Sequence, residues 1–143
     1  MFVVETLLAT SSAAVLISDV CTRKISNKLS ALVLISCLLL SFTNENISLH
    51  FAQSAMVFAV GLVLFSAGII GAGDIKVLCC YSLIIDNQYW LLSIVIIGFL
   101  GGITALVILI KIKIIDSYKN EGVPYGLPIV ITSLFFIHLS TII

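Results

Sequence analysis

The chain has 143 residues, of which 61% are hydrophobic and only 10% charged, against about 25% charged in ordinary soluble domains. A water-soluble fold of this length cannot hide that much apolar surface, so the composition predicts lipid as the solvent. The formal net charge of zero leaves no electrostatic footprint for a nucleic-acid partner.

Phe2 to Ser18 is apolar and closes at Asp19. Glu5 precedes every positive charge, so this stretch lacks the basic start of a signal peptide and is expected to be a retained first span. Cys21 to Lys28 is polar and basic, Leu29 to Phe42 is apolar again, and Thr43 to Asn46 forms a polar turn. Phe51 to Ile70 makes a third span, interrupted by Gly71-Ala72-Gly73-Asp74. Val77 to Ile85 is apolar but short; even from Gly73 it falls below the roughly 17 residues of a usual crossing. It reads either as a re-entrant segment or as a short span sheltered by its neighbours. Asp86 to Gln88 closes it, Trp90 to Ile110 is the longest clean span, Lys111 to Gly122 is polar, and Pro124 to Ile143 is the last apolar run.

Six spans account best for the charges. Arg23, Lys24, Lys28, Lys76, Lys111, Lys113 and Lys119 then all fall in the odd-numbered connections, whereas the even ones hold only Glu45 and Asp86. The positive-inside rule puts the odd connections in the cytoplasm and both termini on the outer side. The expected fold class is all-α, a polytopic helix bundle in one domain spanning residues 1–143. Cys21, Cys37, Cys79 and Cys80 show no metal-ligand spacing, so neither a disulfide framework nor a zinc site is expected.

Asp19 ends the first span and Asp74 opens the fourth, which brings both carboxyls to the cytoplasmic side at similar depth. Ionisable groups among apolar helices are costly and point to function when they face the bundle interior. Two carboxyls brought together share a proton, because both cannot easily ionise. Such a pair can hydrolyse a peptide, one member taking a proton from water while the protonated partner polarises the scissile carbonyl. Taken singly, Asp74 also suits the N-cap of the fourth helix, and Asp19 an interfacial helix end. Glycines beside Asp74 allow the backbone to bend and another chain to approach closely.

Three blocks in order resemble the type IV prepilin peptidases, a family of Gly-x-Gly-Asp intramembrane aspartyl proteases. Asp19-Val-Cys-Thr-Arg23-Lys-Ile25-Ser-Asn27 is similar to the family's Asp, then Arg, then Ile-Pro-Asn, with Ser26 in place of the proline. Gly71-Ala-Gly73-Asp74-Ile-Lys76 fits Gly-x-Gly-Asp-x-Lys. Val123-Pro124-Tyr125-Gly126-Leu-Pro128 is similar to Pro-Tyr-Gly-Pro, with Leu127 inserted. The resemblance implies that Asp19 and Asp74 are the catalytic dyad and that no metal or organic cofactor takes part. It implies prepilin or pseudopilin substrates with a short basic leader, cut at the cytoplasmic face of a bacterial inner membrane before a hydrophobic helix. Pilus-assembly proteins follow as possible partners. The short first connection resembles the subtype serving tight-adherence (Flp-type) pili, without an N-methyltransferase region.

Other residues carry open alternatives. Lys76 suits a headgroup phosphate, a substrate carboxylate or a positive-inside anchor. Arg23 and Lys24 suit loop anchors or contacts to an acidic substrate residue, and Asn27 suits a cap for the second helix. Gly71, Gly73, Tyr125 and Gly126 enter as supporting residues; Tyr125 and Trp90 also suit the interfacial belt. His50 and His138 fall toward the outer side, away from the dyad. Two rival functions fit the same carboxylates: a small proton-coupled transporter, and a non-catalytic scaffold that binds pilins.

Overall fold

The computed structural model describes residues 2–22, 24–114 and 125–142, apart from the side chains of Phe2, Ile112 and Ile114. Among these residues the chain forms six helices and no strand: α1 (Phe2–Thr22), α2 (Asn27–Thr43), α3 (Phe51–Ser66), α4 (Ala72–Ser82), α5 (Asn87–Ile114) and α6 (Gly126–Ile142). By length and composition α1 and α5 suffice to cross a membrane, whereas α2, α3 and α6 are shorter apolar helices.

Local chemistry sets the helix ends. Ser26 has extended backbone at φ −70° and ψ 149°, and its Oγ accepts from the Leu29 N–H at 3.3 Å. Ser26 is therefore the cap of α2, and Asn27 is the first helical residue rather than the cap that its residue type suggests. α3 stops at Ser66, four residues before its apolar run ends, because Gly68 turns the chain at φ +72°, a conformation glycine adopts without penalty. Gly71 caps α4, so Asp74 is the third residue of that helix and not its cap.

α4 is only 11 residues long, about 16 Å at 1.5 Å per residue. It nevertheless sits at the centre of the fold, packed against α2, α3 and α6. Ile75, Val77 and Tyr81 on α4 are buried, as are Leu83, Ile84 and Ile85 just beyond it. The Tyr81 hydroxyl meets Ser12 Oγ at 2.7 Å, tying α4 to α1.

The helices alternate in direction, so their termini collect at two ends. At one end the start of α2 meets α4 and the end of α1 meets the start of α6. At the other, His50 donates its amide to the Leu83 carbonyl, Asn46 reaches the Thr141 carbonyl, and the Asp86 amide donates to Ser140 Oγ.

Polarity runs outward to inward. Ser11, Ser12, Ser36, Ser93 and Ser133 are buried, while Phe42, Leu91, Phe99 and Phe135 lie on the outside. Several buried hydroxyls donate back to their own helix, Ser11 to the Leu8 carbonyl, Ser36 to Leu32 and Ser93 to Trp90. That bonding satisfies them without a partner helix.

Candidate active site

Asp19 lies in the last turn of α1, and Asp74 in the first turn of α4. Both are buried, at 5% and 7% exposure. They line one cavity of about 300 Å³ with Lys24, Ile25, Gly71, Ala72 and Gly73. The charge on Asp19 acts on Asp74, so the carboxyls are electrostatic neighbours although 55 positions separate them in the chain.

Each carboxyl is held by a helix start. Asp19 Oδ2 accepts from the Gly126 N–H at 2.9 Å, at the first residue of α6. The Asp74 carboxylate turns back to the Gly71 amide that begins its own helix, the return half of a capping box. The positive ends of α6 and α4 thus face the two acids. Asp74 Oδ1 is buried with no hydrogen-bond partner among the described residues. A buried carboxylate oxygen without a donor is costly, and this one belongs to a cavity-lining residue.

The glycines are explained by what a side chain would strike. A Cβ on Gly126 would lie 2.5 Å from Asp19 Oδ2 and 2.8 Å from its Cγ. A Cβ on Gly71 would lie 3.0 Å from Asp74 Oδ2, and one on Gly73 would lie 2.9 Å from Ile25 Cβ. Close approach therefore holds at all three, but the approaching group is the acid pair or the α1–α2 link itself.

Lys76 points away from the acids and donates to Asn27 Oδ1 at 2.7 Å, joining α4 to the start of α2. Lys24 lines the cavity, and its carbonyl accepts from Ser18 Oγ at 2.7 Å and Thr22 Oγ1 at 3.2 Å, fixing the link where it leaves α1. Tyr125 packs its ring on Gly101 of α5, where a Cβ would lie 2.8 Å from Tyr125 Cε1, and with Trp90 it joins the edge of the core. His50 bonds Ser48 at the far end, where His138 shares a cavity with Glu5. Arg23, Lys119, Val123 and Pro124 lie outside the described residues. The sequence names Ile25 only within the first matching block, without its role of filling the space beside Gly73, and gives no signal of the Ser12–Tyr81 bond.

The arrangement brings two carboxyls to one cavity, where like charge disfavours ionising both. Residues 6–106 match the model of the type IV leader peptidase family. No curated protein and no solved structure matches the chain.

Proposed function

The chain belongs to the type IV leader peptidase family, and we propose that it is a membrane-embedded aspartyl endopeptidase with Asp19 and Asp74 as its dyad. The observation that carries this reading is the shared cavity: two buried carboxyls from α1 and α4 line it at one end of the bundle. One carboxylate takes a proton from water as the water attacks the scissile carbonyl. The protonated partner donates to the carbonyl oxygen, and the proton later passes to the leaving amine. The coupled pair titrates as a unit, so neither residue owns the base role. Gly126 holds Asp19, Gly71 holds Asp74, and Gly73, Asn27 and Lys76 keep the α1–α2 link against α4.

All six helices cross the membrane in this reading, with both termini outside and the acids at the cytoplasmic face. Its support is the apolar exterior over buried hydroxyls, the distribution that a lipid solvent favours, together with the charge segregation of the connections. The short α4 crosses because α2, α3 and α6 surround it. Residues 1–143 form one peptidase domain. α1 ends at Thr22 and α2 begins at Asn27, which leaves no room between them for an N-methyltransferase region. The substrates are prepilins of the Flp type, with assembly proteins of the same pilus as partners, in a bacterial cytoplasmic membrane.

The test is reconstitution of the full chain in liposomes with an Flp-type prepilin. N-terminal sequencing of the product should show removal of the basic leader. An uncut prepilin, with proton flux across the same liposomes, would favour the transporter instead.

A further inference from the structure

Two openings flank α3, which packs on α4 alone among its close neighbours. One lies between α2 and α3 and is lined by Ser30, Leu34, Phe58, Lys76, Cys79 and Cys80. The other lies between α3 and α5, which do not pack closely on each other, with α4 residues in its wall. That second slot encloses about 210 Å³ and is almost wholly apolar, with Val60, Gly61, Ile75, Leu78, Ile94 and Gly98 among its walls.

The helical wheel of α4 relates each opening to the acids. At 100° per residue, Leu78 lies about 40° from Asp74 and Ile75 about 100°, whereas Cys79, Lys76 and Cys80 lie about 140°, 200° and 240° away. The α3–α5 slot is therefore on the Asp74 side of α4, and the other opening is behind it. The slot also abuts the catalytic cavity in the chain: Ile70 and Ile75 line the slot, while Gly71 and Asp74 line the cavity.

On α5 the slot wall carries Gly98, with Gly102 one turn further along the same face. A Cβ at either would meet nothing within 4 Å. Glycines four apart on an apolar helix let a second helix approach to backbone distance, and no helix of this chain takes that place among the described residues. Trp90 adds a buried indole N–H without an acceptor among the described residues, at the far end of the slot. At about 210 Å³ the slot cannot enclose a helix, whose diameter with side chains is about 10–12 Å. A helix would lie along its mouth against Gly98 and Gly102, with side chains inserted over Ile75 and Leu78.

We propose that the slot between α3 and α5 is the docking site for an apolar helix of the substrate, seated so that the adjoining peptide enters the Asp19–Asp74 cavity. The proposal rests on the peptidase reading and adds where the uncut part of the substrate is held.

The test uses the full chain in liposomes with an Flp-type prepilin. Gly98→Leu fills open space, so the fold accommodates it; it should raise KM about tenfold with kcat within about twofold, the pattern of lost substrate binding. Ile103→Phe, about 140° round α5 from Gly98 and exposed, should leave both constants unchanged. In the Asp74→Asn background, a benzoylphenylalanine at position 94 should crosslink to the prepilin, and one at position 103 should not. An unchanged KM in Gly98→Leu, or a position-94 crosslink only to lipid or to a second copy of the chain, overturns the docking site while leaving the peptidase reading intact. Failure of the wild type to cut any prepilin overturns the peptidase reading itself, and the docking site with it.

Discussion

Gly126 has no room for a side chain, because a Cβ would lie 2.5 Å from Asp19 Oδ2. Gly126→Ala must therefore push Asp19 out of the cavity or lift the start of α6. A displacement of about 1 Å at a reacting group costs on the order of 100-fold in rate, so Gly126→Ala should lower kcat by that much with membrane insertion unchanged, measured on reconstituted protein. The Lys76–Asn27 bond makes a different claim. Lys76→Ala and Asn27→Ala remove the same interaction, so their effects on melting temperature should be less than additive in the double variant; full additivity would show that the bond contributes nothing. At this scale the acids were legible in the sequence, since Asp in an apolar run is costly and Gly-x-Gly-Asp marks one of them. Their supports were not. The Gly126 amide that holds Asp19 lies 107 positions away, and no local pattern predicts that pairing. Asn27 suggested a cap by residue type, but Ser26 occupies the capping position one residue earlier.

Among the elements, α4 decides whether the acids meet, because it carries Asp74 and packs closely on α2, α3 and α6. Tyr81 fixes its position relative to α1 through the 2.7 Å bond to Ser12 in a fully buried site. Tyr81→Phe leaves the ring in place and removes the bond, which should cost about 1–2 kcal/mol. The expected result is a lower melting temperature in detergent together with reduced cleavage, because the bond joins the two helices that bear Asp19 and Asp74. Hydropathy located every helix, but not all their ends. α1 continues through Asp19 to Thr22, and α5 continues past Ile110 to Ile114, because polar residues in the final turns do not stop a helix whose backbone bonds are already made. α3 ends early because Gly68 turns the chain while Ile69 and Ile70 keep the hydropathy high. Apolar runs record the solvent around a segment, and glycine conformation records where it bends; only the first is visible as a run.

For the whole molecule, the proposed topology has the acid end facing the cytoplasm and the Asn46–Asp86 end facing outward. Glu45→Cys and Lys113→Cys, each in a background with the exposed Cys21 changed to serine, distinguish the two ends. A membrane-impermeant maleimide should label position 45 in intact cells and position 113 only after permeabilisation. The reverse pattern would put the dyad on the outer face, and labelling of both positions in intact cells would remove at least one span. The expectation of a lipid environment comes from the low share of charged residues. The lateral slot between α3 and α5 was not, because it arises from two helices that each pack elsewhere.

The central claim is that Asp19 and Asp74 together perform hydrolysis, and cleavage of an Flp-type prepilin by Asp19→Asn and Asp74→Asn tests it most directly. Asparagine keeps the shape and removes the ionisable acid, so with insertion verified each variant should lose cleavage by at least about 1000-fold, and the double variant little more, as for residues that act as one unit. Cleavage at the wild-type rate by either inserted variant would contradict the account.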